Sequence, residues 1–280
     1  MAKLEFDVAT AQGIGQRDCQ EDCIVSHFTQ GCDIGFVVLA DGMGGHAAGD
    51  IASKIVVTEV FSELLFQSAA ILERHEQVGP MLRDAAQAAN SCLASYVATS
   101  PATKGMGATL VAPVIAGQSL WWISIGDSPL FLFRDGKLQQ LNEDHSLAPQ
   151  IDFLAAQGQM DSETARTHPD RNVLTSALFG ERVARVDCPA DPFALRDGDI
   201  VIVASDGLQF LNDTQIIACL QGDSAEIAQG LLNNIALLGD PDQDNTSLCV
   251  IRVGATATVQ PDLTAPWRRH QTQPAPPVTR

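Results

Sequence analysis

The chain has 280 residues, 45% of them apolar, with a formal net charge of −17. That length suffices for one large domain or two small ones, and an acidic balance with no visible basic patch argues against a nucleic-acid partner. No apolar run reads as long enough to span a bilayer, and the start, Met1-Ala2-Lys3-Leu4-Glu5, lacks a signal-peptide pattern, so the expectation is a soluble cytoplasmic protein without a membrane partner.

Leu4–Thr10 alternates weakly and predicts a first strand, followed by a polar loop over Gln12–Gln20. Asp22–Phe28 and Ile34–Ala40 predict two more strands. The second is nearly all apolar, as a strand buried on both faces should be. Apolar positions between Ile51 and Phe66 recur at helical spacing, and Pro80 opens a second helix running to Val97. Four strands follow: Thr109–Ile115, Ser119–Ile125, Leu130–Arg134 and Lys137–Leu141. Gly117-Gln118 and Asp135-Gly136 supply the hairpin turns between them. Asp144–Arg171 is polar and mixed, with short helices predicted at Leu147–Gln157 and at Asp161–Thr167, and reads as an excursion from the core. Val183–Cys188 and Ile200–Ala204 predict strands. Asp213 and Ser224 are candidate caps for two helices ending at Leu220 and Leu238. Ser247–Val253 predicts the last strand. Beyond Gly254 no apolar period survives and five prolines fall within Pro261–Pro277, so residues 255–280 are expected to form a disordered Pro-rich tail.

Seven cysteines, at 19, 23, 32, 92, 188, 219 and 249, form no Cys-x-x-Cys pair. Reduced, buried thiols fit them better than a disulfide framework or a zinc site.

Asp41, Asp127, Asp206 and Asp244 share one context: each stands at the end of a predicted core strand. Taken singly, each also reads as a strand-end turn residue. Three of them have glycine beside them, as Asp41-Gly42, Gly126-Asp127 and Asp206-Gly207. Carboxylates converging from separate strand ends would push one another's pKa upward, and cations would remove that penalty. Oxygen donors without paired His or Cys select hard ions such as Mg²⁺ or Mn²⁺. The spacing excludes an EF-hand, and the glycine-rich stretch Asp41–His46 lacks the Lys-Ser/Thr ending of a P-loop.

Arg17-Asp18-Cys19-Gln20-Glu21-Asp22, Asp41–His46, Met106-Gly107-Ala108-Thr109, Gly126-Asp127-Ser128, Asp144-His145-Ser146, Asn172-Val173-Leu174-Thr175 with Ala177, Ser205-Asp206-Gly207-Leu208 and Asp244-Asn245 occur in this order. In that order the chain resembles the metal-dependent protein phosphatases of type 2C (the PPM family), bacterial type, over Leu4 to Val253. The resemblance implies an α+β fold, a four-layer α-β-β-α sandwich of two antiparallel sheets flanked by helices. Residues 1–254 would be the catalytic domain, with a flap at about 145–171. It implies a metal-dependent serine/threonine phosphoprotein phosphatase using two Mn²⁺ or Mg²⁺ ions and no phosphoenzyme. Its substrates would be phosphoserine and phosphothreonine proteins, with a separately encoded serine/threonine kinase as counterpart. By resemblance Asp41 bridges the two ions, the Gly42 carbonyl binds one, and Asp206 and Asp244 complete the other site. Glu21 and Asp22 hold metal-bound waters. Asp127, with Asp206, resembles the ligand pair for a third, weaker ion.

Arg17 has the planar fork to grip phosphate oxygens, and His46 titrates in the range of a general acid for the leaving alkoxide. The plainer roles are an ion pair of Arg17 with Glu21 or Asp22, and a helix cap for His46. Gln20, Ala108 and Pro129 depart from the family pattern, and Pro129 removes an arginine expected near the third ion site. Two other activities use the same residues: a phosphohydrolase of a small molecule, and a non-catalytic module that reads phosphopeptides.

Overall fold

The computed structural model describes residues 4–29, 33–44 and 47–255. Eleven strands are formed among them, and their order in space differs from their order in sequence. One sheet runs β1 (Leu4–Gly13), β11 (Thr246–Ala255), β10 (Ile200–Ala204), β7 (Leu130–Arg134), β8 (Lys137–Gln140). The other runs β2 (Asp22–Phe28), β3 (Ile34–Met43), β5 (Leu110–Ala116), β6 (Ser119–Ile125), β9 (Phe193–Ala194), with the two-residue β4 (Gly107–Ala108) paired to the end of β3. All the pairings are antiparallel.

Three apolar layers separate four structural ones. Val37, Leu39, Val111, Val203 and Cys249 pack between the two sheets. Phe36, Val38 and Ala112, on the opposite face of the second sheet, pack under α1 (Ala47–Glu73) and α2 (Val78–Thr99). Ile202, Leu248 and Val250 do the same for the first sheet beneath α5 (Asp213–Cys219) and α6 (Ser224–Leu238). Successive strand side chains point to opposite faces. A central strand of such a sandwich must therefore be apolar at every position, as Ile34–Ala40 and Ile200–Ala204 are. This is the expected α-β-β-α sandwich.

Turn chemistry follows the sequence. Asp135 and Gly136 both take positive φ, 53° and 78°, as a two-residue hairpin matched to strand twist requires. Pro113 sits inside β5, and the ladder to β3 lapses opposite it while pairing to β6 continues.

Several local expectations are corrected. Val183–Cys188 forms no strand; an isolated bridge, Ser124 to Asp187, and the hydrogen bond that Trp122 Nε1 donates to Asp187 Oδ2 at 2.9 Å join it to β6. Asn212, not Asp213, caps α5, and Asp223, not Ser224, caps α6. Both form a capping box with the residue three positions on. Ser224 instead donates to Asp7 on β1 through its backbone N–H and its hydroxyl, each at 2.8 Å. Strand β1 continues through Gln12 to Gly13, where a loop is expected.

The helical segment Ala48–Glu73 is also long and apolar enough to cross a membrane, against the expectation that no run would be. Here one side of it, Val56, Val60 and Leu64, is buried on the sheet. Residues 144–171 add no side chain to the three apolar layers and contain α3 (Ala148–Ala156) and α4 (Ser162–Arg166), the latter capped by Asp161. Ala255 still belongs to β11, and the rest of the expected tail lies outside the described residues. Cys23, Cys92, Cys188, Cys219 and Cys249 are free thiols, and Cys32 lies outside the described residues.

Candidate metal centre

The sandwich brings one end of β2, β3, β6, β10 and β11 together. There a cavity of about 540 Å³ is lined by Glu21, Asp41, Asp127, Asp206 and Asp244, with Arg17 as its one cation among the described residues. Four predicted strand-end acids, the outermost of which, Asp41 and Asp244, are 203 positions apart, thus face one space.

Each is held by a specific backbone arrangement. Asp41 lies in β3 opposite Asp22 on β2. Its backbone N–H donates to Thr109 Oγ1 at 2.9 Å, and its carbonyl accepts from Thr109 N at 2.9 Å. Thr109 is in turn fixed by Ser128 Oγ at 2.8 Å. Gly42 donates to the Glu21 carbonyl at 3.1 Å. A Cβ on Gly42 would lie 2.1 Å from the Gly49 carbonyl oxygen, so only glycine lets the chain pass here. Asp206 opens a short 3₁₀ turn, Asp206–Phe210, directly after β10. Asp127 follows β6, and its carbonyl accepts from Gln209 Nε2 at 3.3 Å, joining the two acid-bearing turns.

Asp22, the cross-strand partner of Asp41, is buried. Its Oδ2 accepts from Ser205 Oγ at 2.7 Å, and Ser205 Oγ accepts from Ser247 N at 2.9 Å. Asp244 stands at the rim. Its Oδ1 accepts from Asn245 N at 2.7 Å, and its Oδ2 accepts from Arg17 Nη2 at 2.5 Å. His46 lies outside the described residues.

Burial first, then mutual repulsion, raises these acids. Asp206 is pushed up to about 8, by burial and then by Asp127, Asp244 and Asp22. Asp127 reaches about 7, by burial and the nearby Asp144. Asp22 reaches about 6, chiefly through burial and against the Ser205 hydrogen bond. Asp41 is raised well above the ordinary carboxylate range by burial and by Asp206. Asp22 Oδ1 and Asp206 Oδ1 are buried without a hydrogen-bond partner. Such groups are costly unless something positive meets them. Among the described residues no three acids close on a common point as a finished ligand set. The donors, carboxylates and a backbone carbonyl, are those of a hard divalent ion. The residues present therefore fit the metal pair that the sequence implies.

Three residues of the centre have no assigned role in the sequence reading. Thr109 pins Asp41 by side chain and backbone. Asn245 accepts from Glu21 N through Oδ1 at 2.7 Å and donates through Nδ2 to the carbonyls of Ile14 at 2.9 Å and Cys19 at 3.1 Å. It ties the Arg17–Asp22 loop to β11. Phe179 lines the cavity wall. Thr109 and Asn245 stand in motifs visible in the sequence and Phe179 does not, and the contacts that give all three work cross the fold. Of the departures, Gln20 is accommodated: its Oε1 accepts from Asp22 N at 3.0 Å and its Nε2 donates to the Gly13 carbonyl at 3.3 Å.

Residues 12–222 match the family model described as protein phosphatase 2C. The serine/threonine protein phosphatase PstP of Mycobacterium tuberculosis is 36% identical over 74% of this chain and 38% of its own length. The serine/threonine phosphatase stp of Listeria welshimeri is 37% identical over 61% of this chain and 66% of its own. The chain thus spans less than two thirds of either relative. Among solved structures, the catalytic domain of PstP in complex with two manganese ions superposes with a TM-score of 0.68 at 30% identity, covering 91% of this chain and all of that one. A family match over most of the chain, the layered sandwich and the acid-lined cavity agree: the chain belongs to the protein phosphatase 2C family.

Proposed function

We propose that the chain is a metal-dependent phosphatase of phosphoserine and phosphothreonine in proteins, acting in the cytoplasm against a separately encoded kinase. The observation that carries this reading is the set of buried, pKa-raised acids around one cavity with Arg17 at its mouth. Relatives named serine/threonine phosphatases support the substrate class.

Asp41, the Gly42 carbonyl, Asp206 and Asp244 would hold two Mn²⁺ or Mg²⁺ ions. Glu21 and Asp22 would orient waters behind them, and Asp127 with Asp206 would take a third ion. A bound pair of such ions supplies water of lowered pKa and draws charge from phosphoryl oxygens. The protein's own residues do the rest. Arg17, released from Asp244, grips two phosphate oxygens with its planar fork and orients the phosphorus for in-line attack. His46 gives a proton to the leaving serine or threonine oxygen. Asp22, locked by Ser205, holds its side of the floor in place. No side chain takes up the phosphoryl group. Residues 145–171 form a flap beside the cavity.

The test is turnover of p-nitrophenyl phosphate and of a phosphothreonine peptide with Mn²⁺, with loss in EDTA. No turnover of either by metal-loaded protein would reject the reading. Turnover of small phosphomonoesters alone would move it to a small-molecule phosphohydrolase.

A further inference from the structure

The cavity has two unlike halves. Its floor is acidic, but one wall is formed by Met43, Leu174 and Phe179. Phe179 is 42% exposed, and the segment that bears it is fixed at three points. Leu178, fully buried, exchanges two 2.9 Å backbone hydrogen bonds with Ala108 on β4. The Phe179 ring lies on Gly107, where an added Cβ would come within 2.3 Å of Cδ1. Gly180 N donates to Oδ1 of the buried Asn90 on α2 at 2.8 Å, and Asn90 Nδ2 donates to the Glu181 carbonyl at 2.6 Å. Strand β4 in turn pairs Ala108 with Gly42 and Gly107 with Met43. The ring is therefore tied through β4 to the Asp41-Gly42 end of β3, whose residues would hold the metal pair. Leu174 is placed by its bridge to Ser146 at the base of the excursion.

An apolar ring held rigidly, yet left to water, gains little for the fold. It is well suited to binding, because no side-chain freedom is lost when a partner covers it. The partner must reach the wall while its phosphate lies in the same cavity, between Arg17 and the ions that the acidic floor would hold. We infer that Phe179, with Leu174 and Met43, is a specificity-determining surface that receives an apolar side chain next to the phosphorylated residue of the substrate. This rests on the phosphoprotein phosphatase reading above. Apolar discrimination in such a pocket is worth about tenfold or more in kcat/KM.

The experiment uses two phosphothreonine peptides, identical except for leucine or serine on both sides of the phosphothreonine, with p-nitrophenyl phosphate as a third substrate. The wild type is expected to favour the leucine peptide about tenfold, through KM. Phe179→Ala should bring that ratio close to one, and Phe179→Leu should keep most of it. Turnover of p-nitrophenyl phosphate and of both peptides at equal kcat/KM would overturn the inference and leave the enzyme reading standing. A folded Phe179→Ala enzyme that keeps the full ratio would overturn it too. If Phe179→Ala does not fold, the wild-type ratio and its retention in Phe179→Leu decide. No turnover of any substrate would reject both readings together.

Discussion

The side-chain oxygen of Asn245 accepts the backbone N–H of Glu21 at 2.7 Å, across 224 positions of sequence. The same side chain donates to the carbonyls of Ile14 and Cys19. One buried amide thereby closes the loop carrying Arg17, Glu21 and Asp22 onto the strand that follows Asp244. Asn245→Ala leaves three backbone groups without their partner, each costing on the order of 1 kcal/mol or more. We expect a loss of about 2–4 kcal/mol in urea unfolding and a fall in kcat/KM larger than that seen for a surface control. Asn245→Asp keeps the acceptor but loses both donors, and its activity should lie between the two.

Asp41→Asn and Asp206→Asn should each remove detectable phosphatase activity and weaken Mn²⁺ binding in calorimetry. Because both carboxylates are buried among like charges, the same substitutions should stabilise the EDTA-treated protein near neutral pH. Activity without metal loss in either variant would contradict the ligand assignment. A destabilised chelated variant would contradict the electrostatic account.

The pH dependence has a definite sign. Asp22, Asp127 and Asp206 have folded-state values of about 6, 7 and 8, above the ordinary aspartate value of about 3.9 in the unfolded chain. Between those limits the folded state holds protons that the unfolded state has released, so stability falls as pH rises. In EDTA the melting temperature should drop from pH 5 to pH 8 and level off above. Mn²⁺ should flatten that slope by taking the place of the protons. Thermal melts across pH, with and without Mn²⁺, measure both effects.

Arg17 is half exposed and pairs with the rim residue Asp244. Arg17→Ala should raise KM for phosphopeptides by about tenfold to a hundredfold, the scale of a lost charge-assisted pair, with little change in melting temperature. Arg17→Lys should recover only part, since an ammonium cannot form the two parallel bonds of a guanidinium.

His46→Ala should reduce turnover of phosphothreonine peptides about a hundredfold and of p-nitrophenyl phosphate much less, because nitrophenolate leaves without a proton. Equal losses on both substrates would argue against His46 as the acid.

Much of this was legible in the residues themselves. Apolar runs such as Ile34–Ala40 and Ile200–Ala204 announced strands buried on both faces, Asp135-Gly136 announced its hairpin, and acids at strand ends announced the acid-lined cavity. The misreadings are local and have local causes. Val183–Cys188 has a strand's composition, yet its backbone pairs with β6 only as the isolated bridge of Asp187 to Ser124. Asp213 and Ser224 stand one residue past the true caps, where either neighbour could have supplied the oxygen.

By itself the sequence determined the type of each segment and the chemistry available to it, because periodicity and turn residues report how a segment meets water. Only the tertiary structure decided which segments meet one another. It set β11 between β1 and β10, drew Asp22 onto Ser205, raised Asp206 to about 8 and pinned Phe179 over Gly107. Those are properties of distance through space, and groups far apart along a chain acquire them only when packing brings them together.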